Sequence, residues 1–294
     1  MTAQDLSPTA SADAEAFFVP ISEEDRDGIV YRTVEATKHT ESPWGPGFQH
    51  GSPPAALIAY LLEAGAKDNG YPIAGEGRFG RMSVNILGAV PLGKLIGHTR
   101  LLRPGKRIAL FEAVVTDEQG REVIRGRGWW LKTTETTEIR REVGPVVDGP
   151  HGAEQDTAFL ERWKSGYIDA IDVRQVASPP QPEYDAHDRG NPIVAWARSD
   201  YPVMLGEADS PWTGLMKTVD IANGVNEVLD PAQWGFMNVD LGVYLHRLPT
   251  SDWTGLWSEH NYGVDGIGTT IARIYDEDGP IGAINQAIML APQN

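Results

Sequence analysis

The sequence contains one pattern twice, and this internal repeat limits the possible folds more than any other feature. Ser52-Pro53 recurs as Ser210-Pro211, 158 residues further along the chain. Serine is a favoured helix N-cap, and proline suits the first helical position, where no amide hydrogen is needed. Apolar residues follow both dipeptides at three-four spacing, which is typical of a helix with a buried face. We therefore predict a long, largely buried helix after each serine.

The segments after the two helices also recur, in the same order. Residues 82–85 parallel residues 237–240, and the Asp- and Gly-containing turn at 117–120 parallels the turn at 276–279. Such turns between alternating strands predict antiparallel hairpins. Each half is thus predicted to be α+β, with a curved antiparallel sheet wrapped around a central helix. Pairing of edge strands from the two halves would produce one continuous sheet and protect those edges.

The segments before the helices complete the predicted organisation. We expect a first strand at residues 29–34 in the first half, and at 168–176 or 193–198 in the second. The connection from 133 to about 164 is rich in Thr, Glu, Gly and Pro, which is typical of a linker. The predicted division is an N-terminal domain at 1–133, a linker at 134–165 and a C-terminal domain at 166–294.

Charge and composition exclude several functional classes. The formal net charge of −16 disfavours binding to nucleic acid or to an anionic membrane surface, because both need a positive field. The absence of cysteine removes disulfides and thiol nucleophiles, and the seven histidines lack the spacing of a metal site. The sequence also lacks a phosphate-binding glycine loop, an apolar membrane span and a leader segment. We therefore expect a cytoplasmic protein that needs no metal or cofactor.

One part of the chain departs from this acidic average. Residues 78–132 contain eleven basic residues and only four acidic ones. This basic island would suit a small polyanionic ligand that carries a nucleotide. It would equally suit a solvated strand face, and the sequence leaves both interpretations open.

Three segments resemble a known family. Residues 42–57, 236–241 and 282–286 resemble the type II acyl-CoA thioesterases, and more closely their actinobacterial relatives. The resemblance implies a tandem or double hotdog fold, an acyl-CoA substrate and a homo-oligomer. In that family a water molecule is positioned by an Asp on the helix of the C-terminal half, a Ser or Thr on the following strand and a Gln on the last strand. The matching residues in this sequence are Asp220, Asn238 and Gln286.

The chemistry of these residues agrees with the resemblance. Asp220 lies beside the apolar register of the second predicted helix, and a buried carboxylate is unstable unless polar groups meet it. Asn238 departs from the family pattern, but an amide still offers a donor and an acceptor to a water molecule. The equivalent positions of the first half hold Leu62, Ser83 and Arg127, so only the second half keeps the whole set. Glu63 becomes the acid of a second site if the alignment of the helices shifts by one residue.

The resemblance also suggests where an acyl-CoA would bind. A thioester is activated enough for direct attack by water, with a carboxylate as general base and no covalent intermediate. Amides at the start of a buried helix can stabilise the oxyanion, and His50-Gly51 lies just ahead of the first helix. The candidate contacts for the CoA phosphates are Arg103, Lys106 and Arg107.

Two other functions remain open from the sequence. The departure at Asn238 favours a non-catalytic acyl or acyl-CoA binding protein that keeps the fold with a degenerate site. A hotdog hydratase or dehydratase is a weaker alternative, because no paired Asp and His on a short loop is present.

Overall fold

The strands of the two halves form a single antiparallel sheet. The computed structural model describes residues 14–178 and 193–293, and within them the sheet has 13 strands. The strands are β1 (Phe18–Arg26), β2 (Ile29–Ala36), β3 (Gly77–Ile86), β4 (Lys94–Arg103), β5 (Ile108–Asp117), β6 (Glu122–Lys132), β7 (Asp172–Ala177), β8 (Ile193–Arg198), β9 (Trp234–Asn238), β10 (Asp240–Leu245), β11 (Thr254–Tyr262), β12 (Ile267–Asp276) and β13 (Gly279–Pro292).

The order of the strands reflects the sequence repeat. It runs β1-β2-β4-β5-β6-β3 in the first half and continues as β10-β13-β12-β11-β8-β7 in the second, while β9 pairs with β13. The halves meet where β3 and β10 pair antiparallel, with Ser83 opposite Gly242. The predicted continuous sheet is therefore confirmed, and its seam lies beside the segments that the repeat aligns.

Few helices accompany this sheet. The α-helices are α1 (Ser52–Asp68), α2 (Thr157–Arg162) and α3 (Pro211–Met216), and short 3-10 segments occur at Lys38–Thr40, Thr137–Ile139, Ile168–Ala170 and Val219–Asn223. The β2 strand covers the first strand predicted at 29–34. In the second half, β8 matches the candidate at 193–198, whereas the candidate at 168–176 begins as a 3-10 turn and becomes β7 only at residue 172.

The long helix α1 is the centre of the N-terminal half. Its buried face packs against β4, β5 and β6, and strand glycines allow the close approach. A Cβ atom on Gly97 would lie 2.4 Å from Leu61, and one on Gly126 would lie 2.2 Å from Ile58. Replacing either glycine would force the facing side chain of α1 to shift, because a real Cβ atom does not tolerate such distances.

The second half contradicts the prediction of a second long helix. The α3 helix ends at Met216, and the chain continues as the 3-10 segment Val219–Asn223. The change occurs at Thr218, whose φ of −128° is not helical. Gly214 and Thr218 both have low helix propensity, whereas α1 is rich in Ala and Leu. The sheet of the C-terminal half therefore packs around a short helix and a 3-10 turn.

The two predicted helix starts also differ. Ser210 is the N-cap of α3, as the sequence predicts, and it also forms a reciprocal capping box with Thr213. In the first half the N-cap is Gly51, and Ser52 is already the first helical residue. The prediction that Ser52 is a cap is wrong, because the chain enters α1 one residue earlier.

The predicted linker has little regular structure. It contains the 3-10 turn Thr137–Ile139 and the helix α2. The N-terminal segment crosses to the other half, where Phe17 and Phe18 donate backbone hydrogen bonds to Pro202 and Val203. The division into two domains and a linker stays a prediction, and its residues 1–13, 179–192 and 294 lie outside the described residues, as does most of the segment in which a leader was sought.

Candidate functional site

Asp220 is a buried acid at the centre of the C-terminal half. It lies in the 3-10 segment that follows α3, and it is only 3% exposed. Removal from water raises the pKa of Asp220 to about 7, although hydrogen bonds from two amides oppose the shift. A carboxyl group with such a pKa is a suitable general base near neutral pH, because its ionised form is present without being strongly stabilised.

Both predicted amide partners contact one oxygen of this carboxyl group. Asn238 Nδ2, at the end of β9, donates to Asp220 Oδ1 at 2.7 Å, and Gln286 Nε2, on β13, donates to the same oxygen at 2.9 Å. Asn238 pairs with Ile288 in the sheet. Gln286 is two residues from Ile288, so its side chain leaves the same face of β13. The structure thus brings together the three residues that the family resemblance implies.

The second oxygen of Asp220 faces the start of α1. A Cβ atom on Gly51 would lie 2.0 Å from Asp220 Oδ2, so a glycine is required at this position. Both amides bind Oδ1, which leaves Oδ2 beside the backbone of Gly51. This arrangement places a carboxylate oxygen next to the N-terminal end of a 17-residue helix.

His50 is a neutral ring at the same end of α1. Its Nδ1 accepts a hydrogen bond from the amide of Ser52 at 3.1 Å, and the ring stacks on Tyr167 with centroids 4.1 Å apart. Desolvation lowers the pKa of His50 to about 3. A neutral imidazole that accepts at Nδ1 carries its proton on Nε2, so the ring can donate one hydrogen bond.

The start of α1 offers fewer amides than the sequence suggests. Positions 53 and 54 are prolines and have no amide hydrogen. The amide of Ser52 is bound by His50, and the amide of Ala55 donates to the Gly51 carbonyl. Among the hydrogen bonds of the described residues, none uses the Gly51 amide. Gly51 N–H and His50 Nε2–H are therefore candidate donors in the cavity that Asp220 also lines.

A cavity of about 420 Å³ contains these groups. We call it the main cavity, and its volume falls within the usual range for ligand pockets. Gly51, His50, Asp220 and Asn238 line it, and its other lining residues are mostly apolar. The latter include Trp44, Phe48, Pro54, Val90, Phe236 and Met237. Asp220 is the single charged residue among those that line the main cavity in the described chain.

The structure does not bring the predicted phosphate contacts to this cavity. Arg103 donates to the carbonyl of Ile108, and the neighbouring Gly105 amide donates to the hydroxyl of Tyr71. Tyr71 follows the C-terminal end of α1, whereas Gly51 precedes its N-terminal end. A helix of this length spans about 25 Å. Arg103, Lys106 and Arg107 thus lie beside the opposite end of the helix from the main cavity.

A second buried acid, Glu63, lies on α1. Glu63 is 5% exposed, and Ser210 Oγ donates to its Oε2 at 2.5 Å. Burial raises the pKa of Glu63 to about 7, against the effect of the Ser210 hydrogen bond. Glu63 lines a separate, more polar cavity of about 150 Å³, in which Tyr60 and Lys67 also take part. Glu63 is the acid that a one-residue shift in the alignment of the two predicted helices would select. The structure shows that it is a buried carboxyl group.

The described part of the chain contains neither a group of metal-ligating side chains nor a membrane-spanning helix. No group of three or more His, Cys, Asp or Glu residues there could hold a metal ion. Within residues 14–178 and 193–293, no helix has both the length and the apolarity needed to cross a membrane.

Comparison with known proteins identifies the class of the molecule. The model of the acyl-CoA thioesterase N-terminal domain matches residues 40–131, and that of the C-terminal domain matches residues 148–290. Together they cover most of the chain, which belongs to this family of acyl-CoA thioesterase domains. The family supports thioesterase activity. The finer assignment to an actinobacterial subgroup stays a prediction.

Solved structures confirm the double hotdog fold. The chain is similar to a hotdog-fold protein of unknown function from Alicyclobacillus acidocaldarius, with 13% identity and a TM-score of 0.67 over 93% of this chain and 97% of that one. It is similar to a candidate thioesterase II from Thermobifida fusca, with 16% identity and a TM-score of 0.68 over 98% and 99% of the two chains. For an acyl-CoA thioesterase II from Mycobacterium marinum, the values are 13% and 0.63 over 93% and 97%. No protein in the curated set matches significantly.

Proposed function

We propose that this protein hydrolyses an acyl-CoA to the free acid and CoA by direct attack of a water molecule, with Asp220 as the general base. The observation that supports the proposal is the environment of the two oxygens of the Asp220 carboxyl group. Two amides hold Oδ1, and Oδ2 faces the backbone of Gly51 at the edge of a ligand-sized cavity. A water molecule between Oδ2 and a thioester carbonyl would meet a base and an activated carbon together.

The reaction balances with these groups alone. Asp220 Oδ2 accepts a proton from water while the water oxygen bonds to the thioester carbon. The negative charge that develops on the thioester oxygen is stabilised by Gly51 N–H and His50 Nε2–H, which are neutral donors in an apolar surrounding. The carbon–sulfur bond then breaks, and the departing thiolate takes the proton from Asp220. The carboxylate is regenerated, and no covalent bond forms between the substrate and the protein.

Asn238 and Gln286 position the base rather than react. Because both donate to Oδ1, they fix the plane of the carboxyl group and oppose the rise in its pKa. Asn238 stands where the related family carries a hydroxyl group, and its amide still offers the hydrogen-bond donor that Asp220 uses.

Further proposals rest on the sequence and on the family resemblance. We propose a homo-oligomer in the cytoplasm, acting on acyl-CoA in lipid metabolism. The role of Arg103, Lys106 and Arg107 as phosphate contacts stays a prediction, and their distance from the main cavity gives it no support.

The second candidate function is a non-catalytic acyl-CoA binding protein. Asn238 is the observation that favours it, because this position departs from the family pattern. The experiment that separates the two functions measures thiol release from acyl-CoAs of different chain lengths by the wild type, together with calorimetric binding to Asp220→Asn. Turnover by the wild type, with retained binding and lost turnover in the variant, would support the hydrolase. A folded wild type that binds acyl-CoA without releasing thiol would support the binding protein.

A further inference from the structure

The main cavity contains a polar side chain that the proposed mechanism leaves unused. Asn223 lines this cavity and is half-buried. Its side chain takes part in none of the hydrogen bonds within the described residues, and neither of its polar atoms is among the buried ones that lack a partner. A carboxamide offers both an acceptor and a donor group. Both groups of Asn223 are therefore accessible and free to bind a ligand.

The other carboxamides that line the main cavity are not free in this way. Asn238 Nδ2 donates to Asp220 Oδ1 at 2.7 Å, so Asn238 holds the base. Gln49 Nε2 donates to the carbonyl of Pro91 at 2.8 Å, and Gln49 Oε1 is buried. Among the described residues that line the cavity, Asn223 is thus the carboxamide with both groups available. A small number of such polar groups in an apolar pocket commonly fixes the orientation of a ligand.

Asn223 is held at a short distance from the base. Both residues belong to the 3-10 segment Val219–Asn223, and side chains three residues apart in such a helix lie above one another. The rise over three residues is about 6 Å. The chain just beyond Asn223 is fixed, because His260 Nε2 donates to the carbonyl of Val225 at 2.7 Å. Asn223 and Asp220 therefore extend in the same direction from one anchored turn.

The chemistry of CoA places an amide at a similar distance from the reacting carbon. In every acyl-CoA, two methylene groups separate the sulfur atom from the first amide nitrogen of the pantetheine arm. With the thioester carbonyl beside Asp220, this N–H group is the first polar group of the arm that can meet Asn223, and the side-chain oxygen of Asn223 is a matching acceptor. The mostly apolar remainder of the lining suits the acyl chain, which has no amide.

We propose that Asn223 Oδ1 accepts a hydrogen bond from the first amide N–H of the pantetheine arm and so fixes the thioester beside Asp220. This inference rests on the proposed thioesterase function and names a binding residue for its substrate. It predicts that the protein recognises the thiol part of the thioester through a single polar contact near the reacting carbon.

The test compares two thioesters that differ only in this N–H group. S-butyryl-N-acetylcysteamine carries the first amide of the pantetheine arm, and in S-butyryl-2-mercaptoethyl acetate an oxygen atom replaces the N–H. Thiol release by the wild type should show a kcat/KM about three- to tenfold higher for the amide, the usual contribution of one hydrogen bond. Asn223→Leu should abolish this preference, whereas Asn223→Asp keeps an acceptor oxygen and should retain it. The loss in Asn223→Leu should appear mainly in KM, because the contact is equally present in the ground and transition states.

Gln49→Leu is the matched control, since it also replaces a carboxamide of the main cavity by an apolar side chain. Gln49 Nε2 is bound to Pro91, so this variant should change kcat/KM for both thioesters by the same factor. An equal preference for the amide in the wild type and in Asn223→Leu would overturn the inference, as would a wild type that does not distinguish the two thioesters. Loss of the preference in Gln49→Leu would also overturn it, because the preference would then depend on packing of the cavity in general.

Failure of the thioesterase proposal itself would look different. If the wild type released no thiol from any thioester, calorimetric titration with butyryl-CoA would decide the matter. Binding that is about three- to tenfold weaker in Asn223→Leu and unchanged in Gln49→Leu would support the contact. Equal binding by the wild type and Asn223→Leu would overturn it, as would a wild type that binds no butyryl-CoA. If the wild type acted on butyryl-CoA and on neither short thioester, the KM for butyryl-CoA would replace the binding constant, with the same outcomes.

Discussion

Two positions of the molecule share one plan and differ in the N-cap residue and in the groups that bind the acid. At each of them, the N-cap residue of a helix in one half faces a buried acid from the other half. Gly51, the N-cap of α1, faces Asp220, and Ser210, the N-cap of α3, faces Glu63. Burial raises the pKa of both acids to about 7. Each half thus contributes a buried acid that meets a helix N-cap of the other half.

The N-cap residue decides what each position can do. Because glycine has no side chain, Asp220 Oδ2 packs against the Gly51 backbone, and both residues line the main cavity. At the other position, the Ser210 hydroxyl donates directly to Glu63. The amides at the start of α3 are also engaged, because the Thr213 amide donates to Ser210 Oγ and the Gly214 amide to the Ser210 carbonyl. The Glu63 position is a link between the halves, whereas the Asp220 position is open.

Removal of each acid should give the largest contrast between the two positions. Asp220→Asn should lower kcat/KM by about 10² to 10⁴-fold, the usual contribution of a general base. Glu63→Gln should leave kcat/KM near the wild-type value, although it also replaces a buried acid by an amide. Thiol-release kinetics on both purified variants check this. A large loss of activity in Glu63→Gln would show that the second position takes part in the chemistry.

The next contrast concerns the N-cap residues. Gly51→Ala should lower kcat/KM by about 10²-fold or more, because the methyl group displaces Asp220 Oδ2 and disturbs the oxyanion donors. Ser210→Ala should leave kcat/KM unchanged and lower the free energy of unfolding by about 1 kcal/mol through loss of the cap. Gly214→Ala is the control for added volume, since its Cβ atom would meet nothing within 4 Å. Full activity in a folded Gly51→Ala protein would contradict this account of the open position.

The pH dependence of activity should follow Asp220 alone. Because the base must be ionised, kcat/KM should rise with pH and reach half of its maximum near pH 7, where the pKa of Asp220 lies. The Glu63→Gln variant should show the same midpoint. The measurement is a pH–rate profile between pH 5 and 9. A shifted midpoint in Glu63→Gln would show that the titrations of the two acids are coupled.

The pH dependence of stability should follow both acids. Each has a pKa of about 7 when folded, against ordinary values of 3.8 for Asp220 and 4.5 for Glu63. The folded state therefore binds more protons than the unfolded state between these values, and the free energy of unfolding should fall as pH rises from about 4.5 to about 7. Both Asp220→Asn and Glu63→Gln should flatten this slope in denaturant titrations. An equal slope in the wild type and in both variants would show that these acids do not titrate on unfolding.

The smallest effect is expected at Asn238. Asn238→Ser introduces the hydroxyl group of the related family and keeps a donor near Asp220, so kcat/KM should change by only a few-fold. Asn238→Ala removes the donor and should lower kcat/KM further, with a higher apparent pKa in the pH–rate profile because one stabilising hydrogen bond is lost. Identical pH–rate profiles for the two variants would show that the amide does not act on the base.

Several parts of the fold were predictable because local patterns carry them. The Ser-Pro pairs, the Asp-Gly turns and the alternation of the strands specify elements within a few residues. The β1 strand escaped prediction because seven of its nine residues are exposed and it has no alternating pattern. The break after α3 also escaped, since apolar residues continue at helical spacing while Thr218 leaves the helical conformation.

The candidate site was predictable in its members and not in its geometry. Asp220, Asn238 and Gln286 follow from the family resemblance, but the choice of Oδ1 by both amides follows only from the packing of β9 and β13. The basic residues near 103–107 differ from this trio, because the structure does not bring them to the main cavity. They suggested a phosphate site by composition, and the structure places them at the far end of α1.

The sequence by itself determined the duplication, the strand and turn pattern, and the helix starts to within one residue. These features depend on neighbours in the chain, whose conformational preferences act locally. Only the tertiary structure decided which acid is open, because Gly51 meets Asp220 and Ser210 meets Glu63 across the boundary of the two halves. The pKa values of these acids depend on burial, which arises when distant segments pack together.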